Sequence, residues 1–152
     1  MALSSEAGMP AVADPGSSLV RAAHILGVPV VPLVGPCSIV LALAASGLNG
    51  QGFVFHGYLP QDAEMRARRL QELEKASHKT GQSQWWIETP YRNAATIQSM
   101  LQILQSNTII SIASGLTLEK MQINTDTVAA ARQGKIQYSD KWPTVFGLCK
   151  GA

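Results

Sequence analysis

Apolar positions follow two different periods along this chain, and segments of the two kinds alternate. Short β-branched or aromatic runs such as "SQWWIE" (83–88) and "TIISIAS" (108–114) have the length and composition of buried strands. Longer stretches repeat an apolar residue every three or four positions, which is typical of amphipathic helices. Strands are predicted at 28–34, 53–60, 83–88, 108–114, 119–124 and 144–150, and helices at 16–26, 38–46, 61–78, 94–105 and 125–134. Alternating strands and helices predict the α/β class with a parallel or mixed sheet.

The first predicted helix has residues suited to both of its ends. Asp14 is a good N-cap, Pro15 suits the first helical position, and Gly27 suits the C-terminal cap. The sequence therefore predicts a helix that begins just after Asp14 and ends before Gly27.

The helix at 61–78 has the pattern of a surface helix. Its predicted inward side consists of Ala63, Ala67, Leu70 and Leu73. Oppositely charged residues stand four apart on its other side, in the pairs Asp62–Arg66, Glu64–Arg68 and Arg68–Glu72. The alternative is that the arginines of this helix, Arg66, Arg68 and Arg69, face RNA.

The segment "GLNGQG" (47–52) is the clearest linker in the chain. It combines three glycines with an Asn-Gly turn signal. We place a domain boundary there, which gives a first domain at 1–50 and a second domain at 51–152. The second domain is predicted to be a strand-rich α/β unit.

The composition is that of an ordinary globular chain. Of 152 residues, 46% are hydrophobic and 14% charged, which excludes a disordered chain. The formal net charge of +2 is too small to argue for nucleic-acid binding by itself.

Cysteine, histidine and proline placement excludes several other classes. Two cysteines form no disulfide framework, and three widely separated histidines match no metal-ligand spacing, so no metal is expected. The apolar stretch 28–48 has the length of a membrane span, but Pro29, Pro32 and Pro36 divide it. We therefore expect no membrane association and a cytoplasmic location.

The loop "SSEAGMPAVADPGSSLV" (4–20) has the composition of a ligand-binding connection. It follows a probable strand end, "ALSS", and precedes the first helix, which is where open α/β sheets bind ligands. Gly8 permits close backbone approach, and Glu6 and Asp14 can accept hydrogen bonds from an ammonium group or from ribose hydroxyls. A tight connection without a ligand is the alternative.

Three segments together resemble the tetrapyrrole methylase family, whose members use S-adenosylmethionine. The first is "SEAGMPAVADPGSSLVRAAHILGVPVVPLVGPCSIVLALAASG" (5–47); "FHGYLP" (55–60) and "IETPYR" (87–92) follow it. The last two are similar to segments of the branch that methylates a cytidine 2′-hydroxyl in small-subunit ribosomal RNA. The resemblance is specific up to Arg92 and weaker beyond it.

The resemblance implies two α/β domains with S-adenosylmethionine in the cleft between them. By position, it implies that the methionine end is lined by Ser5, Glu6, Ala7, Gly8 and Pro10, with Asp14, Pro15 and Gly16 behind them. It further implies a turn at Pro36 and Ser38 over the cleft, and an approach of Ile87, Glu88 and Thr89 to the adenine.

The predicted catalytic residues are Glu88 and Arg92. Methyl transfer from a sulfonium is an in-line displacement, so the protein mainly aligns the acceptor, and a ribose hydroxyl must also lose a proton. Glu88 and Glu6 are the carboxylates available as a base, and both could equally accept hydrogen bonds from the cofactor. Tyr91 and Arg92 suit a phosphate or a nucleobase. The alternative for this segment is a core strand followed by a turn.

The sequence departs from the family pattern in three places. The glycine loop and the strands that precede the Glu6 loop in the family are not in this chain, which predicts an incomplete first domain and an exposed sheet edge. In "SGLTLEKMQ" (114–122), only Leu116 and Thr117 keep the family residues. Cys37 stands where a serine is usual.

Three functions follow from the resemblance. The first is 2′-O-methylation of ribosomal RNA, with the RNA or the small ribosomal subunit as partner and a homodimer as assembly; the chain as given could be an inactive fragment. The second is methylation of a small tetrapyrrole. The third is a non-catalytic remnant that retains dimerisation or RNA binding.

Overall fold

The computed structural model describes residues 1–151, which contain five helices and five strands. The helices are α1 (Ser17–Ile25), α2 (Ser38–Ser46), α3 (Ala63–Thr80), α4 (Pro90–Ile103) and α5 (Val128–Arg132). The strands are β1 (Phe53–Tyr58), β2 (Ser83–Glu88), β3 (Ile109–Ser114), β4 (Gln122–Thr127) and β5 (Thr144–Cys149).

All five strands form one mixed sheet in the order β1-β2-β5-β3-β4. The pair β1–β2 is parallel, whereas β5 runs antiparallel to both of its neighbours and β4 runs antiparallel to β3. The carboxyl ends of β1, β2 and β3 therefore lie at one edge of the sheet. The predicted α/β class with a mixed sheet is confirmed.

The side chains of successive residues in β2 separate the interior into two layers. Trp86 stacks on Phe146 of β5 with ring centroids 5.8 Å apart, in the core cluster that also holds Leu70 and Leu73 of α3. Trp85 points to the other face of the sheet and packs with Ala42 and Leu43 of α2. Both tryptophans are fully buried, so each face of β2 contributes one to a core.

The chain consists of two compact units, Met1–Ser38 and the residues from Ile39 onward. The second unit contains the whole sheet, and α2 packs against it through Ala42 and Leu43. The predicted domain boundary after residue 50 stays a prediction.

The end signals of α3 and α4 act as their sequences indicate. The Asp62 carboxylate accepts a hydrogen bond from the Met65 N–H at 2.9 Å, and Gly81 ends α3 with a φ of 74°. Pro90 is the first residue of α4, so the helix predicted at 94–105 begins four residues earlier.

Three other local predictions are wrong. Residues 28–34 form no strand and are exposed; Pro29 and Pro32 lack the N–H that a strand partner needs. The strand predicted at 119–124 runs from Gln122 to Thr127, because a turn occupies the first positions. The N-cap position of α1 is held by Gly16, not Asp14, since a φ of 138° at Gly16 separates Pro15 from the helix.

Among the described helices, none combines the length and apolar character needed to span a membrane.

Candidate functional site

The loop before α1 holds an unusual number of residues in left-handed backbone conformation. Ala11 and Ala13 have φ values of 63° and 55°, and Gly8 has a φ of 81°. Alanine incurs a steric cost in this region, and such strain is concentrated at binding and catalytic sites. The backbone geometry thus marks the same loop that the composition singled out.

Within this unit, the structure brings two of the predicted cofactor-binding positions together. A Cβ built on Gly8 would lie 3.9 Å from the Pro36 carbonyl oxygen and meet no other atom within 4 Å. A ligand can therefore reach the Gly8 backbone directly. The Ser5 hydroxyl is engaged locally, since it donates to the Ala7 carbonyl at 3.0 Å.

The remaining positions predicted in this unit have differing exposure. Glu6 and Ala7 are exposed, Pro10 and Asp14 are half-buried, and Ser38 is the exposed first residue of α2. Their assignment to cofactor binding stays a prediction.

In the second unit, the structure brings Glu88 and Arg92 together at the carboxyl edge of the sheet. Glu88 ends β2 and Arg92 lies one turn into α4, with Nη2 of Arg92 3.0 Å from Oε1 of Glu88. The Glu88 side chain is fully buried and the Arg92 side chain is 13% exposed. The same Nη2 donates to the Leu59 carbonyl at 2.7 Å and to the Pro60 carbonyl at 3.3 Å.

Burial has the largest effect on the pKa of Glu88. It raises the pKa of Glu88 above the ordinary value of 4.5, because removal from water disfavours the charged form. The positive charges of Arg92 and Arg66 and a hydrogen bond from Thr96 act in the opposite direction and offset part of this rise. The Thr96 hydroxyl lies 3.3 Å from Oε1. The buried pair of Glu88 and Arg92 is thus the charged centre of this edge.

Ile87 and Glu88 lie on opposite faces of the sheet. Ile87 packs on the α2 side with Trp85, while Glu88 points to the side covered by α3 and α4. Both residues were predicted to approach an adenine. Because their side chains lie on opposite faces of the sheet, they cannot both contact it from the same face. Thr89 is the N-cap residue of α4, but its hydroxyl makes no capping bond.

Three side-chain oxygens near the start of α4 are buried without a hydrogen-bond partner: Glu88 Oε2, Thr89 Oγ1 and Asn93 Oδ1. Native proteins rarely leave several such atoms in one place, and polar sites and buried water account for many exceptions. This cluster is the strongest sign of polar function in the second unit.

Asn93 is a central residue of this edge that no sequence pattern singled out. Its Nδ2, with two hydrogens to donate, lies 3.1 and 2.9 Å from the carbonyl oxygens of Ser139 and Trp142 and 2.9 Å from the Thr144 hydroxyl. The Thr144 hydroxyl in turn lies 2.8 Å from that of Ser114. Asn93 thus ties α4 to the start of β5 and the segment before it. These contacts join residues far apart in sequence, and no local pattern signals them.

Arg66 was considered for RNA contact, and its burial excludes that role. Its exposed fraction is 7%. The spacing could have revealed this, because Arg66 stands four residues before Leu70 and seven before Leu73 on the buried stripe of α3. Arg68 is exposed and pairs with Glu64 at 3.7 Å, as predicted. Arg69 pairs with Glu72, three residues on, at 2.9 Å.

His56 on β1 has a fixed protonation pattern. Its Nε2 lies 2.8 Å from Oε1 of Gln84, and its Nδ1 lies 3.1 Å from Nη2 of Arg69. The guanidinium can only donate, so Nδ1 accepts and the proton sits on Nε2. Burial and the Arg69 charge lower the pKa of His56 below 6.5, against the effect of the Gln84 bond.

Solved structures identify the fold. The methyltransferase CobJ matches with a TM-score of 0.58 and 16% identity, over 94% of this chain and 62% of CobJ. Uroporphyrin-III C-methyltransferase from Thermus thermophilus matches with a TM-score of 0.53 and 16% identity, over 94% of this chain and 61% of that enzyme. The fold is therefore that of the tetrapyrrole methyltransferases. No family model matches the chain.

Curated sequences narrow the assignment. Ribosomal RNA small subunit methyltransferase I of Vibrio cholerae is 39% identical over 117 residues, which is 77% of this chain and 39% of that protein. The enzyme of the same name from Halalkalibacterium halodurans is 40% identical over 117 residues, with the same two coverages. The matched part of the chain is therefore similar to the ribosomal RNA small subunit methyltransferases. It spans about two fifths of the length of these relatives.

Proposed function

We propose that this chain serves the S-adenosylmethionine-dependent methylation of a ribose 2′-hydroxyl in ribosomal RNA. The observation that carries the proposal is the loop around Gly8. Its strained backbone, open above Gly8 and next to the Pro36 carbonyl, coincides with the part of the sequence that most closely resembles the family. Similarity to small-subunit RNA methyltransferases at 39–40% identity supports RNA as the acceptor.

The residues of the loop fit the methionine end of S-adenosylmethionine. The exposed Glu6 carboxylate can accept from an ammonium group, and the open Gly8 backbone admits a close neighbour. Bound at such a site, the cofactor supplies an electrophilic methyl group. In this proposal the cofactor contacts Ser5, Glu6, Ala7, Gly8, Pro10, Asp14, Pro36 and Ser38. The assignment of Ile87 and Thr89 to the cofactor stays a prediction.

Glu88 and Arg92 act on the acceptor side in this proposal. Full burial and pairing with Arg92 favour a positioning role for Glu88, in which the carboxylate fixes the guanidinium. The Nη2 of Arg92 is occupied by Glu88 and by two backbone carbonyls, so its other nitrogens are the ones available to an RNA phosphate. A catalytic role for either residue stays a prediction, as does a homodimer.

Calorimetric titration of the full chain with S-adenosylmethionine tests the loop. We expect binding by the wild type and by Gly27→Glu, and none by Gly8→Glu. Gly27 is a matched control, because its φ of 66° is equally positive and nothing lies within 4 Å of a Cβ built there. No binding by a folded wild type at millimolar cofactor would contradict the proposal. Equal binding by Gly8→Glu would place the cofactor elsewhere.

A methyl-acceptor assay then tests the substrate. Radiolabelled methyl groups should enter small ribosomal subunits and not a porphyrinoid precursor. Labelling of the porphyrinoid alone would contradict RNA methylation while keeping the methyl-transfer chemistry.

A further inference from the structure

The connection from β1 to α3 directs three consecutive carbonyls at two arginines on different helices. Nη2 of Arg92 on α4 donates hydrogen bonds to the carbonyl oxygens of Leu59 and Pro60, at 2.7 and 3.3 Å. Nη1 of Arg66 on α3 donates a hydrogen bond to the carbonyl oxygen of the following residue, Gln61, at 2.9 Å. Each of these bonds is charge-assisted and therefore stronger than a neutral one, so the two arginines fix the backbone of this loop.

Arg66 is itself held in place by the opposite helix. Its Nε donates to the Ser99 hydroxyl at 3.0 Å, and that hydroxyl donates to the Ala95 carbonyl at 3.0 Å. Arg66 has no carboxylate partner within salt-bridge distance among the described residues. Its positive charge nonetheless acts on Glu88 and lowers the pKa of that carboxyl group, as the charge of Arg92 does.

A buried arginine that serves only packing would be replaceable by an apolar residue at little cost or even with a gain in stability. Here the planar guanidinium reaches a hydroxyl with one nitrogen and a carbonyl with another. Lysine offers a single ammonium group and cannot make both contacts in this geometry. The requirement is therefore for the shape of arginine, which indicates that the position of the loop matters.

We propose that Arg66 is a positioning residue for the loop Leu59–Gln61, and that it works with Arg92 to fix this loop beside the acceptor side of the site. The inference rests on the proposed function and extends it to a residue outside the site described above. Ligands in open α/β sheets bind at the carboxyl ends of the strands, and this loop directly follows the carboxyl end of β1. A loosened loop would weaken binding of the RNA acceptor and leave the chemical step nearly unchanged.

Hydrogen exchange and steady-state kinetics of the full chain test this role. The variants are Arg66→Met and Arg66→Lys, with Lys75→Met as the control, since Lys75 lies on the same helix and is exposed. We expect amides in the peptide 59–65 to exchange roughly tenfold faster in both Arg66 variants, the change expected when a charged hydrogen bond is lost. Exchange in β3 and β5 should stay at the wild-type level.

In kinetics, both Arg66 variants should raise KM for the RNA several-fold and keep kcat within about twofold of wild type. A milder variant, Ser99→Ala, removes the partner of Arg66 Nε and should change both readouts in the same direction by less. Because Ser99→Ala changes the side-chain volume little, it should fold and can be measured even if Arg66→Met does not fold.

Two outcomes would overturn the inference. One is unchanged exchange at 59–65 in the Arg66 variants and in Ser99→Ala. The other is faster exchange throughout the sheet, which is the result of general destabilisation. If the wild type methylates no RNA, the proposed function fails, but the exchange experiment still decides whether Arg66 positions the loop.

Discussion

The two units of this chain differ in where their apolar side chains go. In the first unit, α1 buries none of its residues, and the segment that follows exposes 79% of Leu33 and all of Val34. In the second unit, Trp85 and Trp86 in the same strand are fully buried on opposite faces of the sheet. Side chains of similar hydrophobicity therefore contribute very differently to stability in the two units.

The two units also carry different kinds of candidate function. The loop around Gly8 offers strained, accessible backbone and little buried surface. The Glu88 and Arg92 edge offers a buried carboxyl group that accepts hydrogen bonds from Arg92 and Thr96 of α4. The comparison teaches that substitutions in the first unit should act mainly on binding, and those in the second mainly on stability or on site geometry.

The largest expected difference between the units comes from a matched pair of leucine substitutions. Leu70→Ala removes a fully buried side chain and should lower the free energy of unfolding by about 2–5 kcal/mol. Leu33→Ala removes an exposed one and should change it by less than about 0.5 kcal/mol. Urea denaturation followed by tryptophan fluorescence measures both. Similar losses from the two variants would break the comparison.

A pair of glycine substitutions, one in each unit, tests the same difference between the units with a smaller expected change in stability. A Cβ on Gly147 would lie 2.7 Å from the Trp85 ring, so Gly147→Ala overpacks the core and should cost about 1–3 kcal/mol. Nothing lies within 4 Å of a Cβ on Gly35, and Gly35→Ala should be neutral or slightly stabilising. Thermal melts of the two variants provide the check; equal melting temperatures would mean that Trp85 does not lie against β5.

The smallest effect is a pH dependence at Glu88. A raised pKa in the folded state means that protonated Glu88 favours folding, and this contribution is lost as pH rises from below 4.5 through the folded-state value. Relative to Glu88→Gln, the wild type should therefore lose stability as pH rises through that range. Denaturation of both proteins between pH 4 and 7 tests the sign. If the wild type instead gains stability relative to Glu88→Gln as the pH rises, pairing with Arg92 outweighs burial in its effect on the pKa of Glu88.

Local sequence patterns predicted most of the elements of the second unit. The strands around Trp85, Ile110 and Phe146 and the helix that begins after Asp62 need only neighbouring residues for their recognition, since periodicity, caps and turns are local. The proximity of Glu88 and Arg92 could likewise be predicted from the sequence, because the two residues are only four positions apart. The same patterns failed at residues 28–34, where an apolar run predicted a buried strand and the structure provides no strand partner in residues 1–151.

The sequence by itself thus determined the α/β class, the strand and helix segments of the second unit, the resemblance to a methyltransferase family and the candidate loop. Only the tertiary structure decided the insertion of β5 between β2 and β3 and the contacts of Asn93 with residues 46 to 51 positions away. The physical reason is range. Helix and strand propensities act over a few residues, whereas strand order and buried polar contacts are selected by packing between segments that the chain brings together only when it folds.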